Sequence, residues 1–225
     1  MRAAPLRVQA AKPYGSGMRL PKLTDDDLDP RQKEVASRIA GRRGAVRGPF
    51  QVWLNSPELC DRVESLGAFL RFDSSLPLRL RELSLLIAAR NMDAQYSWNA
   101  HVDKAVEAGV PRAAVEAIAR HEVPVFEREE DAAFYAFCAE LLTEHFVSDA
   151  TFARALAHFG PRGLVDTVGS LGNFTMLGMC LNAFQVDLQA DREPPYPDVR
   201  GYTRTAPSEP LARDGATPAA QGSHR

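Results

Sequence analysis

Glu82 and His101 are the two residues of this chain whose types and spacing could perform chemistry. They lie nineteen residues apart in helix-forming, mostly apolar sequence with a short break between them. Two adjacent helices can bring a carboxylate and an imidazole face to face, and such a pair can exchange protons near neutral pH. The spacing therefore favours acid–base chemistry at this point of the chain.

Each of the two residues also has a purely structural interpretation. Glu82 could form an ordinary salt bridge on a solvated helix edge with Arg79, three residues earlier. A single histidine in a helix is more often structural than catalytic. Small residues on the face of His101 leave room for a ligand or for a closely packed helix, so the spacing alone leaves both interpretations open.

The sequence predicts an all-α fold, because helical periods run along most of the chain and strand signals are nearly absent. A Gly- and Arg-rich loop is predicted over 41–55, and Ser56 followed by Pro57 is a good helix start. The predicted helices cover 25–40, 57–70, 78–89, 95–108, 111–120, 129–144, 149–158 and 161–184.

Two apolar patterns predict which surfaces are buried. Leu59, Val63, Leu66 and Leu70 recur at helical spacing and predict one stripe that faces a core. Residues 167–184 carry no formal charge, and their Asn, Ser, Thr and Gly content favours a buried helix over a membrane span. We expect this helix to lie at the centre of the subunit or between subunits.

Composition limits the classes of function. The 225 residues carry a net charge of −2, which gives no general reason to expect nucleic acid or an anionic membrane as a partner. Cys60, Cys138 and Cys180 are widely spaced and odd in number, so we predict neither a disulfide framework nor a metal site, and a cytoplasmic location.

The chain is expected to form one helical domain with two less ordered ends. Residues 1–20 are interpreted as a flexible leader, and 21–189 as the domain, with its core over 56–145. Residues 190–225 are rich in Pro, Ala, Ser and charged residues, and we expect this tail to be disordered or wrapped on a neighbour.

Several motifs in register resemble the carboxymuconolactone decarboxylase and alkylhydroperoxidase-D-like family. The resemblance includes an aromatic-x-Trp-x-x-His signature typical of the decarboxylase-like branch. The motifs are Arg81-Glu82, the apolar run 85–89, Tyr96-Ser97-Trp98-Asn99-Ala100-His101 and Ala108-Gly109-Val110-Pro111. The resemblance implies an antiparallel helical bundle with extra N-terminal helices, assembled as a homotrimer or homohexamer.

The peroxidase branch of that family places two cysteines between the glutamate and the histidine. In this chain those positions hold Ala94 and Ser97, so the acid and the imidazole are kept while both redox cysteines are absent. A thiolate is needed to attack a peroxide, and neither alanine nor an ordinary serine replaces it.

The decarboxylase branch implies acid–base catalysis without a cofactor. His101 would donate or shuttle a proton, and Glu82 would orient the imidazole and tune its pKa. We expect a small carboxylated or lactone-like substrate, with 4-carboxymuconolactone decarboxylation in aromatic catabolism as the prototype. The candidate substrate-binding residues are cations that could bind carboxylates and neighbours that could wall a pocket: Arg47, Arg81, Arg90, Phe50, Tyr96, Ser97 and Trp98.

Each of these residues also has a plain alternative, because most arginines are solvated surface charges and most aromatic residues belong to a core. Two other functions remain open at this point. One is a peroxidase-like antioxidant protein that uses another thiol, and the other is a member that binds a small molecule without turnover.

Overall fold

The computed structural model describes residues 18–189 and 191–196, and every regular element within these ranges is helical, as the sequence predicts. The helices are α1 (Pro30–Arg43), α2 (Pro49–Trp53), α3 (Pro57–Ala68), α4 (Leu78–Asn91), α5 (Gln95–Glu107), α6 (Arg112–Ala119), α7 (Glu129–Glu144) and α8 (Asp149–Ala183). A short π-helical turn, Phe69–Asp73, continues α3. The predicted all-α fold is confirmed.

The N-terminal helices differ in detail from the prediction. Helix α1 begins at Pro30 rather than near residue 25, because Asp29 and Gln32 form a reciprocal capping box there. The predicted loop over 41–55 contains the short helix α2. Pro49 occupies its first turn, where a missing N–H costs nothing.

Helix α8 runs across the boundary between two predicted helices. Gly160 has φ 61° and ψ 178°, which is not helical, and Pro161 follows it directly. The backbone therefore kinks where the sequence predicted an interruption. The two predicted segments form one 35-residue element with a break in its course.

The predicted core stripe on α3 is wrong for two of its four members. Val63 and Leu70 are buried, whereas Leu59 and Leu66 are 45% and 44% exposed. The buried positions of α3 are Cys60, Val63, Glu64, Gly67 and Ala68. The helix is thus rotated so that a charged residue and a glycine take places that periodicity assigned to leucines.

Part of the apolar helix α8 is exposed in the single subunit, so the helix does not lie wholly at the centre of the subunit. Val165 is 71% exposed and Met179 is 58% exposed, while Asp166 on the same helix is buried. By length and composition α8 is the one helix of the described residues that could cross a membrane, and half of its most apolar window is buried. The remaining half forms an apolar surface.

Two hydrophobic cores lie side by side. The larger one is built mainly from α4, α5, α7 and α8 around residues such as Leu83 and Phe134. The smaller one joins α1, α2 and α3 to the end of α8 around Ile39 and Trp53. Because α8 contributes to both, it holds the N-terminal helices α1, α2 and α3 against the central bundle.

The predicted leader and tail fall mostly outside the described residues, namely at 1–17, 190 and 197–225. Of the predicted tail, residues 191–196 are described, and they run along α5. Asn99 Nδ2 donates to the Glu193 carbonyl at 2.9 Å, and Gln95 Nε2 donates to the Tyr196 carbonyl at 2.8 Å.

Gly48 is required where the chain enters α2. Its φ is 59°, and a Cβ at this position would lie 2.6 Å from Cε1 of Tyr96. We predict that Gly48→Ala lowers the free energy of unfolding by about 1–3 kcal/mol in denaturant titration, through left-handed strain and this clash. Gly41→Ala is the control, because that position is helical with open space around it; equal effects of the two variants would contradict the proposed role of Gly48.

Candidate active site

The centre of the site is a hydrogen bond between α4 and α5. Residues 92–94 turn the chain back between the two helices, so that side chains nineteen residues apart meet. His101 Nδ1 lies 2.7 Å from Glu82 Oε2. The Glu82 side chain is 6% exposed and the His101 side chain is 14% exposed, so the contact is sheltered from bulk water.

The hydrogen bond fixes which nitrogen of His101 is available for chemistry. A carboxylate only accepts, so the neutral imidazole places its proton on Nδ1 and donates it to Glu82. The remaining nitrogen, Nε2, has no hydrogen-bond partner among the described residues. The ring forms part of a cavity wall, and Nε2 is therefore the atom that can accept a proton from a bound molecule or return one to it.

Burial lowers the pKa of His101 below its ordinary value of 6.5, because the cationic form loses hydration. The hydrogen bond and the charge of Glu82 act in the opposite direction, and the nearby Lys104 and Arg71 add to the lowering. At neutral pH the imidazole is thus mainly neutral. Its protonated form is a stronger acid than an ordinary histidine.

The cavity beside His101 has a volume of about 500 Å³ and lies between the two cores. Such a volume suits a small organic molecule. Its wall combines apolar side chains with polar and cationic ones, and the residues that matter below are Arg43, Arg47, Phe50, Gly67, Arg71, Leu85, Tyr96, Ser97, His101, Lys104, Asn173, Phe174 and Leu177.

Positive charge predominates in this wall. Arg47, Arg71 and Lys104 have no carboxylate within ion-pair distance among the described residues. Burial and the neighbouring Arg71 lower the pKa of Lys104. Asp191 is the carboxylate among the cavity-lining residues, so the cations are in excess. This excess favours an anionic ligand, because a bound anion offsets the mutual repulsion of the cations.

Glu82 itself faces a second hollow, on the outer side of the pair. This hollow has a volume of about 480 Å³ and is more open to solvent. Arg71 and Lys104 line both hollows. The carboxylate and the imidazole therefore stand between the inner cavity and the exterior.

Four of the predicted substrate-binding residues line the inner cavity: Arg47, Phe50, Tyr96 and Ser97. Gly48, just before α2, lies against the Tyr96 ring at the start of α5. Its neighbours Arg47 and Phe50 therefore reach the wall of the inner cavity. Burial raises the pKa of Tyr96, so its hydroxyl stays protonated at neutral pH.

The other three predicted binding residues are placed elsewhere. Trp98 is buried and packs edge-on against Tyr196, with ring centroids 5.7 Å apart. Arg90 stacks over the same Tyr196 ring at 4.1 Å and pairs with Asp93. These residues anchor the segment 191–196 to the bundle rather than forming the cavity wall.

Arg81 lies in the outer hollow and not in the inner cavity. Its Nε donates to the Leu76 carbonyl at 2.7 Å, and Nη1 donates to the Arg71 carbonyl. Arg81 thus ties down the π-helical turn that carries Arg71. Its guanidinium contributes to the site through Arg71 and not through a contact of its own.

Sequence reasoning missed Arg43, Arg71, Lys104 and Asn173 as cavity residues. Lys104 follows His101 by one helical turn, so its place on the same face was available from spacing. Asn173 stands in the apolar part of α8, and a polar residue in such a helix is a signal in itself. No local signal identified Arg43 or Arg71, because tertiary packing brings them to the cavity.

The thiols of this chain lie away from the acid–base pair. Cys60, Cys138 and Cys180 are buried, and burial raises the pKa of Cys60 to about 12 and that of Cys180 to about 11. A thiol with a raised pKa is a poor nucleophile at neutral pH. Within the part of the chain that the structure describes, no three His, Cys, Asp or Glu residues are grouped to hold a metal ion.

Comparison with known proteins gives one family match. Residues 57–137 match the sequence model of the carboxymuconolactone decarboxylase family, and this range contains both Glu82 and His101. None of the curated proteins searched matches the chain.

Solved structures show where the fold occurs. A putative antioxidant defence protein AhpD of unknown function from Agrobacterium tumefaciens is 18% identical, with a TM-score of 0.56 over 64% of this chain and 100% of its own. An uncharacterized peroxidase-related protein from Ralstonia eutropha JMP134 is 16% identical, with a TM-score of 0.62 over 80% of this chain and 95% of its own.

A third similar structure contains a ligand. A variant of the debrominase Bmp8 in complex with 2,3,4-tribromopyrrole is 16% identical, with a TM-score of 0.58 over 75% of this chain and 90% of its own. At these identities the likeness establishes the fold alone. This chain has the alkylhydroperoxidase-D-like fold.

The lowered pKa of His101 predicts that stability depends on pH. Below about 6.5 an unfolded chain protonates this histidine while the folded chain resists protonation, so stability is present above that pH and is lost as the pH falls through this window. Each unit of pKa lowering costs about 1.4 kcal/mol once the pH is below both values. Denaturant titrations at several pH values should show this loss in the wild-type protein and a smaller loss in His101→Gln.

The matched control is His158→Gln, because His158 is exposed. This variant should retain the pH dependence of the wild-type protein. A steeper loss of stability at low pH in His101→Gln than in the wild-type protein would contradict the stated direction of the shift.

Proposed function

We propose that this chain, whose residues 57–137 belong to the carboxymuconolactone decarboxylase family, is an acid–base enzyme acting on a small carboxylated or lactone-like substrate. Decarboxylation of 4-carboxymuconolactone is the specific reaction proposed for the first test. The observation that carries the proposal is the sheltered 2.7 Å contact between His101 Nδ1 and Glu82 Oε2 at the wall of a cavity.

The proposed role of His101 is to move a proton at Nε2. In the decarboxylation, the bond between the ring carbon and the carboxylate carbon breaks, and CO2 leaves. The electron pair passes into the conjugated lactone to form a dienolate, and the carbon beside the lactone carbonyl then takes a proton that Nε2 has received from solvent. The lowered pKa suits both halves of this transfer, because the neutral ring accepts a proton and the cation readily gives it up.

Glu82 is proposed to hold the imidazole in one tautomer and to stabilise the cation that forms during transfer. Its place between the inner cavity and the outer hollow supports a second role. Protons consumed in the reaction can be replaced from the side of the outer hollow.

The cations of the cavity support a carboxylated substrate. Arg47, Arg71 and Lys104 offer charge that no described carboxylate neutralises at ion-pair distance. Guanidinium groups bind carboxylates through paired hydrogen bonds. Phe50, Leu85 and Phe174 provide an apolar wall for the carbon skeleton.

Peroxidase activity is not supported by the site. The two positions that would hold redox cysteines are Ala94 and Ser97, and the three thiols of the chain are buried with raised pKa values. A member that binds a small molecule without turnover remains the alternative, and only a measurement of turnover separates it from an enzyme.

The proposal predicts that His101→Ala reduces kcat for 4-carboxymuconolactone by about 100- to 10,000-fold, because proton transfer by a placed side chain contributes about that much. Glu82→Gln should cause a smaller loss. It should also move the basic limb of the pH–rate profile to lower pH, because protonated His101 gives the proton to carbon and the carboxylate raises the pKa of His101. Ultraviolet absorbance of the lactone follows the reaction.

His158→Ala is the control for this series, because it removes an exposed imidazole. It should leave kcat unchanged. Full activity in His101→Ala, or a basic limb that moves to higher pH in Glu82→Gln, would contradict the mechanism.

We also propose that the chain assembles with copies of itself, as a trimer or hexamer. Val165, Val168 and Met179 form an exposed apolar row on α8, and Leu66 and Phe69 are exposed on α3 and the turn after it. Gly169 of α8 lies against Leu70, so the two apolar rows are neighbours. Contiguous apolar surface of this kind favours association.

Light scattering tests this association. We expect a mass that is three or six times 24.7 kDa, and we expect Val168→Glu to reduce it, because a charge in an apolar interface is costly. Val123→Glu is the control, since Val123 is 81% exposed and lies outside both rows. A wild-type mass of one subunit would overturn the proposal.

A further inference from the structure

Gly67 of α3 lines the inner cavity. A Cβ on Gly67 would lie 3.6 Å from Arg43 Nη2 and 3.8 Å from Asn173 Nδ2. Two nitrogen donors from two other helices, α1 and α8, thus converge over a residue without a side chain. We call this place the Gly67 recess.

Asn173 in the recess has no partner for either polar atom. The residue is 3% exposed, and neither its Oδ1 nor its Nδ2 has a hydrogen-bond partner among the described residues. The side chain contributes to the cavity wall. A buried amide without partners is destabilising, and a leucine of similar size would fill the same space at lower cost. A ligand that uses both atoms explains why an amide stands there.

Arg43 provides the charge of the recess. Its guanidinium stacks over the Phe50 ring at 4.7 Å, and its Nε lies 3.5 Å from Glu64 Oε1, with no hydrogen-bond partner at Nε. Arg71, close enough to act on the pKa of Arg43, adds a second positive charge. Glu64 therefore offsets only part of the local positive charge.

We propose that the Gly67 recess binds the carboxylate of a small organic acid that carries a hydroxyl group on the neighbouring carbon. This inference rests on the proposed function, because it assigns the substrate class of the same cavity. Arg43 Nη2 and Asn173 Nδ2 donate to the carboxylate oxygens. The hydroxyl group donates to Asn173 Oδ1, which a carboxylate alone leaves unpartnered.

The recess lies partly outside the segment that matches the family. Arg43 and Asn173 fall beyond residues 57–137, and only Gly67 lies within them. Helices α1 and α8, which lie outside that segment, thus bring the two donors to the cavity.

Two substitutions test the recess without removing a charge. Gly67→Ala adds a methyl group at ordinary contact distance from both donors, so the helix tolerates it while the space for a carboxylate is reduced. Asn173→Leu removes the amide. Gly172→Ala is the matched control, because it is an exposed helical glycine of α8 with open space around it.

Binding is measured by calorimetry with three probes of one shape: mandelate, phenylacetate without the hydroxyl, and mandelamide without the charge. We expect wild type and Gly172→Ala to bind mandelate alike, and Gly67→Ala and Asn173→Leu to bind it about tenfold or more weakly. Phenylacetate and mandelamide should each bind the wild-type protein about tenfold more weakly than mandelate.

The ligand-free melting temperature separates a binding role of Asn173 from a structural one. Asn173→Leu should melt at a higher temperature than wild type, because it removes two unpartnered polar atoms. A lower melting temperature would show that the amide supports the fold and would overturn its assignment to a ligand.

The assignment of the Gly67 recess as a binding site would be overturned by unchanged mandelate binding in Gly67→Ala and Asn173→Leu. It would also be overturned if the wild-type protein bound no mandelate at millimolar concentrations. If mandelamide bound the wild-type protein as tightly as mandelate, the proposed recognition of a carboxylate would be wrong. If phenylacetate did so, the proposed recognition of the hydroxyl group would be wrong. These readouts do not involve turnover. A wild-type protein that binds mandelate as expected but shows no His101-dependent reaction would contradict the proposed function and leave the recess assignment in place.

Discussion

The site depends on one hydrogen bond between two largely buried side chains. His101 and Glu82 meet at 2.7 Å with both side chains largely buried, and this contact decides the tautomer, the direction of the pKa shift and the free nitrogen. An exposed pair at the same distance would be weak and mobile. Burial turns an ordinary hydrogen-bonded pair into a group that holds one geometry and transfers protons near neutral pH.

The surrounding architecture preserves that environment. Helices α4 and α5 hold the pair, and α8 closes one side while it joins the two cores. The segment 191–196 lies along α5, where Tyr196 covers Trp98 and accepts the stacked Arg90. Much of the aromatic and cationic content near the motif thus supports the backbone of the site rather than contacting the cavity.

The sequence was most informative where a local rule decides the outcome. The acid–imidazole spacing follows from two helices with a short turn, and α7 begins and ends where its composition predicts. Periodicity failed on α3, where the buried Glu64 lies near Arg42 and Arg43 of another helix, a pairing that a hydrophobic pattern does not reveal. Arg81 and Arg90 were nominated by charge, yet backbone carbonyls and an aromatic ring engage them. Pairings across the fold have no signature in a local stretch of sequence.

Side-chain nitrogen NMR of the histidines is the most direct test of the central claim. We predict that His101 carries its proton on Nδ1 at neutral pH and that its titration midpoint lies below the ordinary value of 6.5. A His101 that carries its neutral-state proton on Nε2, or that titrates at or above 6.5, would contradict the proposed pair and the acid–base chemistry derived from it.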